Sequence, residues 1–196
     1  MKVLGLSGSV TLSSKTWVSV KQAIEAAKEA LPDAETELVH LGEYDTVLCD
    51  GRDPSLYEGD TKALIDLIVE ADALIIGTPV YRASLTGALK NVFDLIPNDS
   101  LRGKAIGFIA SGGSYHHYLV IDHQLNPLAN YFRAHVIPGG VYVHNGHFSE
   151  GELVDEDVKG RLYQLGKAAV QLTDNLQNKD LEIQQPSIPR RKLHQT

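Results

Sequence analysis

Two rhythms of apolar residues alternate along this chain. Short apolar runs without helical spacing stand at Lys2–Ser7, Ala73–Gly77 and Lys104–Ala110, and read as buried strands. Glu35–Leu41 alternates polar and apolar and reads as another strand. His135–Val143 reads as a fifth, broken by Pro138-Gly139-Gly140. Between the strands lie segments with apolar residues three and four apart. In Ser14–Leu31 these are Trp17, Val20, Ile24, Ala27 and Leu31, ending at Pro32, which predicts an amphipathic helix. Helices are predicted likewise over Asp60–Glu70, Ser84–Ile96, His117–Arg133 and Val154–Leu176, while residues 42–59 are turn-rich and give no element.

A strand followed by a helix, five times over, predicts an α/β fold with a parallel sheet and helices on both faces. Residues 1–178 are expected to form this domain. Residues 179–196, with a basic Arg190-Arg191-Lys192 run, are expected to form a mobile tail.

The chain has 196 residues, which suits one domain able to bury its core without disulfide or metal support. The net charge of −7 argues against nucleic acid as the main partner, while leaving room for a local cationic pocket. A single cysteine, Cys49, excludes an intramolecular disulfide framework and fits a reducing compartment. No leader pattern is apparent, and no apolar run approaches the roughly 20 residues of a membrane span. A cytoplasmic protein with no membrane or nucleic-acid partner is expected.

In such a sheet, ligands bind beyond the carboxyl ends of the strands. Three loops there carry chemistry. The first, Ser7–Thr16, sets hydroxyls and a glycine against a helix N-terminus, where unpaired N–H groups and the helix dipole favour an anion. Ser7, Ser9, Thr11, Ser14 and Thr16, with Lys15 as a cation, are candidate phosphate contacts. The P-loop pattern fails, because serine stands where it needs glycine at positions 9 and 14. The dinucleotide fingerprint fails too: Gly5 and Gly8 have the wrong spacing, and His40-Leu41 rather than an acid closes the second strand. A single phosphomonoester, such as that of FMN, fits better.

The second loop is Thr78-Pro79-Val80-Tyr81-Arg82-Ala83-Ser84. Pro79 stiffens the strand exit, Tyr81 offers a face to an aromatic ring, and Arg82 is a candidate contact for an anion of FMN or a pyridine nucleotide. The third is Ser111-Gly112-Gly113-Ser114-Tyr115-His116, whose glycines let backbone approach a flat ligand. His117 is a further candidate, facing the nucleotide pocket. Histidines 116, 117, 123, 144 and 147 lack a zinc pattern, so no metal is expected. Cys49 lacks a motif and is expected to be an inert thiol.

Ser7-Gly8-Ser9 with Ser14-Lys15-Thr16, then Thr78 to Lys90, Ser111-Gly112-Gly113, Asp122 and Asn126-Pro127 resemble the NADPH-dependent FMN reductases. Within them the chain is most similar to the reductase components of two-component alkanesulfonate monooxygenases, over roughly the first 145 residues. The resemblance implies a flavodoxin-like fold of strand order 2-1-3-4-5, FMN and NADPH or NADH as cofactors, a homodimer or homotetramer, and a flavin-dependent monooxygenase as partner. It implies that Ser9, Ser14, Lys15 and Thr16 hold the phosphate and that Pro79, Val80 and Tyr81 line the ribityl chain and ring. Ser111, Gly112 and Gly113 then meet the ring edge. Leu85 stands where those reductases often carry a tyrosine in the third helix, associated with a π-helical bulge. Its absence opens the alternative of an enzyme that retains FMN and reduces quinones, azo compounds or metals. An electron carrier of the flavodoxin type is a further alternative. Hydride transfer between nicotinamide and flavin needs no protein acid or base, so no catalytic side chain is expected.

Overall fold

The structure is a computed structural model and describes residues 1–11 and 13–177. The expected tail lies outside the described residues. The elements follow the two rhythms. They are β1 (Lys2–Ser7), α1 (Lys15–Ala30), β2 (Glu35–His40), α2 (Gly59–Glu70), β3 (Ala73–Pro79), α3 (Gly87–Leu95) and β4 (Ala105–Gly112). A π-helical turn (Ile121–Leu125) then runs into α4 (Asn126–Tyr131), followed by β5 (His135–Val136) and β6 (Val141–His144). A short hairpin of β7 (Phe148–Ser149) and β8 (Glu152–Leu153), which the sequence pattern did not announce, precedes α5 (Glu156–Gln177).

The main sheet is parallel in the order β2-β1-β3-β4-β5, with β6 also paired to β4. This is the flavodoxin-like order. β5 and β6 are the two halves of the expected fifth strand, separated at Pro138–Gly140. Alternate strand residues supply two cores. Ala73 and Ile75 of β3 point toward α1 and α5, whereas Leu74 and Ile76 point toward α2, α3 and α4. Burial on both faces is why β3 and β4 read as unbroken apolar runs.

Two helices differ from their expected spans. α3 starts at Gly87 rather than Ser84, because residues 81–84 close a tight turn and Thr86 caps the helix. The helix expected over His117–Arg133 is not continuous. A 3₁₀ turn (Tyr115–His117) comes first, then the π-helical turn, in which Asn126 N–H bonds to the Ile121 carbonyl. Pro127 has no N–H to give, and its ring would clash with the carbonyl four residues back in an unbroken α-helix. Widening the preceding turn relieves that conflict. The π-helical geometry therefore sits in the segment after β4, while Leu85, expected within the third helix, precedes α3.

Residues 42–58 hold only short 3₁₀ turns, at Leu41–Glu43 and Pro54–Leu56, but are anchored. Cys49 N–H donates to Asn91 Oδ1 (2.9 Å), and Asn91 Nδ2 returns a bond to the Val47 carbonyl (2.9 Å). The Arg52 guanidinium beside Asp50 holds its carboxyl well below the usual carboxylate range. Among the described residues, no helix is long and apolar enough to cross a membrane.

Candidate functional site

The strand register brings the three loops to one end of the sheet. Ser7 lies opposite Gly77, and Pro79 lies opposite Ser111. Gly8 N–H donates to the Gly77 carbonyl (2.7 Å), and Val80 N–H to the Ser111 carbonyl (2.8 Å). Thr16 Oγ1 and Ser111 Oγ share a buried hydrogen bond of 2.6 Å. The third loop is thus tied directly to the first and to the second, and the first is tied to the end of β3 that leads into the second.

Within the first loop the hydroxyls do different things. Ser14 Oγ caps α1, accepting from Trp17 N–H (3.0 Å). Ser9 is buried and closes the loop on itself, accepting from Thr11 N–H (3.1 Å). Thr16 spends its hydroxyl on Ser111, while Thr11 is exposed. Ser7 Oγ is buried at the end of β1 and has no hydrogen-bond partner among the described residues. Lys15 opens α1, and no acidic residue stands in the first turn. An unsatisfied buried hydroxyl, a lysine and a capped helix N-terminus with no acid fit an anionic ligand carrying hydrogen-bonding groups.

Two residues outside the expected set hold this loop. His40 at the end of β2 accepts Gly42 N–H on Nδ1 (2.9 Å), which leaves Nε2–H of the neutral ring to donate to the Thr11 carbonyl (3.1 Å). Thr86 accepts Leu89 N–H (3.1 Å) and donates to the Gly8 carbonyl (2.7 Å). The Thr86-Gly87 pair before an apolar period is a readable capping signal. The bond to Gly8 is not readable.

In the second loop, Tyr81 and Ser84 exchange backbone bonds of 2.9 and 3.1 Å around Arg82 and Ala83, whose φ values are 53° and 65°. Two left-handed residues in succession make a type I′ turn, which glycine or asparagine usually fills. The turn presents Tyr81 and Arg82 to solvent. Thr78 is fully buried and accepts Thr86 N–H (3.2 Å). Since alanine in this region costs roughly 1 kcal/mol, Ala83→Gly is expected to raise the midpoint of thermal unfolding by a degree or two, on the order of 0.5 kcal/mol. A lowered midpoint in a thermal melt would refute the strain assigned here.

The third loop is held from outside by the β6–β7 segment. Tyr142 donates its hydroxyl to the Ser114 carbonyl (2.5 Å), and burial pushes its phenol pKa up, so it remains a donor. His144 takes Gly146 N–H on Nδ1 (2.9 Å) and reaches the Gly113 carbonyl with Nε2 (3.0 Å). Tyr115 stacks on His144, ring centroids 4.1 Å apart. Ser114 caps the 3₁₀ turn, and His117 is half-buried within it. Among the described residues, no group of three or more His, Cys, Asp or Glu could hold a metal ion.

A cleft of about 610 Å³ lies on the other side of the third loop, lined by Tyr118, Asp122, Pro138, Tyr142 and Arg161 among others. Of the residues in the three loops it includes Tyr115 alone. A larger cleft, of about 770 Å³, is lined by Cys49, Arg52, Asp66 and Asn98 among others and by no residue of the three loops, so size does not mark the site in this fold; the convergence of strand ends does.

The family profile described as NADPH-dependent FMN reductase matches residues 1–148. A relative from Geobacillus thermodenitrificans, named an NAD(P)H-dependent FAD/FMN reductase, is 47% identical over 173 residues, covering 88% of this chain and 93% of its own. An NADH-dependent FMN reductase of Pseudomonas putida is 36% identical over 155 residues, covering 79% and 83%. Among solved structures, an oxidoreductase from Corynebacterium diphtheriae superposes with a TM-score of 0.77 at 25% identity, over 89% of this chain and 97% of that one.

Proposed function

The chain belongs to the NADPH-dependent FMN reductase family, and from that premise we propose that its three strand-end loops hold FMN for reduction by NAD(P)H. The chain is an NAD(P)H:FMN oxidoreductase. The observation that supports the site assignment is that hydrogen bonds join the third loop to the first and second and the first loop to the end of β3, with Ser7 Oγ unsatisfied among the described residues.

In this reading the α1 N-terminus, Ser14 and Lys15 meet the phosphate. Pro79, Val80 and Tyr81 line the ribityl chain and ring, and the Gly112-Gly113 backbone meets the ring edge. Bound FMN supplies the two-electron acceptor for the nicotinamide hydride. The protein's work is placement. Thr86 and His40 fix the phosphate loop, and Tyr142 and His144 fix the ring-edge loop. Preorganised backbone of this kind costs no rearrangement when charge develops on the ligand. Arg82, on its locked turn, offers a cation to the incoming nucleotide.

Steady-state oxidation of NADPH and of NADH at varied free FMN tests this function. Oxidation that rises with free FMN is expected. No flavin-dependent oxidation of either nucleotide would defeat it. The proposal extends to a homodimer or homotetramer and to delivery of reduced flavin to a monooxygenase. Tyr81, Tyr115 and Tyr118, exposed on and beside the second and third loops, support a covering second subunit.

A further inference from the structure

The turn between β6 and β7 carries a residue that no motif singles out and that touches two of the three loops. Asn145 is exposed and opens the 3₁₀ turn Asn145–His147. Its Oδ1 accepts from Lys15 Nζ at 3.0 Å. Its Nδ2 lies 3.0 Å from where a Cβ on Gly113 would stand, so Asn145 packs against the third loop where only a glycine leaves full room. The turn does not depend on the lysine for its shape. His144 Nδ1 accepts Gly146 N–H (2.9 Å), and His147 Nδ1 accepts His144 N–H (3.1 Å). The ring of Phe148, next in the chain, lies 5.5 Å from the same ammonium.

The chemistry of this contact is selective. Lys15 is the first residue of α1, where the helix dipole disfavours a cation. Among the described residues no carboxylate pairs with it. Its partners are an amide oxygen and an aromatic face, both of which hold an ammonium without cancelling its charge. A cation kept whole at a helix N-terminus is costly unless an anion comes to it. We propose that Asn145 is a positioning residue that holds the Lys15 ammonium, charge intact, for the phosphate of FMN, and so sets the preference for FMN over riboflavin. This rests on the reading of the α1 N-terminus as the phosphate end.

The test is titration of FMN and of riboflavin, which lacks the phosphate, against the full-length protein and the variants Asn145→Ala, Asn145→Asp, Lys15→Ala and the Lys15→Ala/Asn145→Ala double. Asn145→Ala is expected to weaken FMN about fivefold and leave riboflavin unchanged, in keeping with a charge-assisted bond at an exposed site. Asn145→Asp keeps the accepting oxygen but neutralises Lys15, so it is expected to weaken FMN more than alanine does. In the Lys15→Ala background the alanine change at 145 is expected to have no further effect. Equal loss of both flavins in Asn145→Ala would overturn the inference, since it would mark mere support of the third loop. So would undiminished FMN affinity in Asn145→Ala while Lys15→Ala loses it. If Lys15→Ala itself leaves the preference for FMN intact, the phosphate reading of the α1 N-terminus fails, and the role of Asn145 falls with it.

Discussion

Gly166→Ala is expected to destabilise the protein by about 2–3 kcal/mol, although alanine normally favours a helix over glycine by roughly 1 kcal/mol. α5 crosses α1 with its backbone almost in contact. A Cβ on Gly166 would stand 2.0 Å from the Ala23 carbonyl oxygen and 2.9 Å from both Ala26 Cβ and Ala27 N. These are backbone and first-carbon atoms, so no rotamer change can make room, and the helices must separate. Separation would open the core formed by Ala23, Ala27, Leu162, Leu165 and Ala169. Gly160 in the same helix has no atom of the described residues within 4 Å of its would-be Cβ. Gly160→Ala is therefore expected to stabilise by up to about 1 kcal/mol. Urea unfolding of both variants gives the comparison. Equal signs for the two substitutions would show that close helix approach does not govern position 166.

Thr86→Val is expected to cost about 3 kcal/mol of stability, from a lost N-cap and a buried carbonyl left without a donor. Valine matches threonine in shape, so the change removes bonds rather than packing. Thr86 is buried, and its hydroxyl serves Leu89 N–H of α3 and the Gly8 carbonyl of the first loop at once. Without it the loop loses its tie to the second loop's helix, and FMN affinity is expected to fall about tenfold as preorganisation is lost. Thr86→Ser, which keeps the hydroxyl, is expected to recover most of both losses. Chemical denaturation and flavin titration check the two effects. Stability and flavin affinity of Thr86→Val equal to those of the unaltered protein would remove Thr86 from the site's scaffold.

Both substitutions act through contacts between residues far apart in the chain, and this divides what was readable from what was not. Strand and helix are local properties. The apolar runs of β1, β3 and β4 and the helical spacing of α1 are visible within a few turns of chain, because burial on both faces and burial along one stripe leave different periods. Their alternation implies a parallel sheet, and a parallel sheet places its ligand loops at the strand ends. The positions of the three loops therefore follow from the sequence pattern alone. Elements depart from the local pattern where local chemistry competes: Thr86 and the type I′ turn shorten α3, and Pro127 widens the helix before α4.

What the tertiary structure alone decided is which groups meet. Thr86 and Gly8 lie 78 residues apart, Thr16 and Ser111 95, and Lys15 and Asn145 130. Such pairs arise only when the crossovers have set β1, β3, β4 and β6 side by side, and no local period carries that information. By itself the sequence determined an α/β sheet with polar loops rich in hydroxyls and glycine at its carboxyl end. The fold then assigned each hydroxyl its partner. It set Ser9 and Thr16 to closing the loops, left Ser7 unsatisfied, and brought an asparagine from the far edge of the sheet to the lysine at the head of α1. Short-range backbone preference writes the elements, and long-range packing places the few polar atoms on which binding depends.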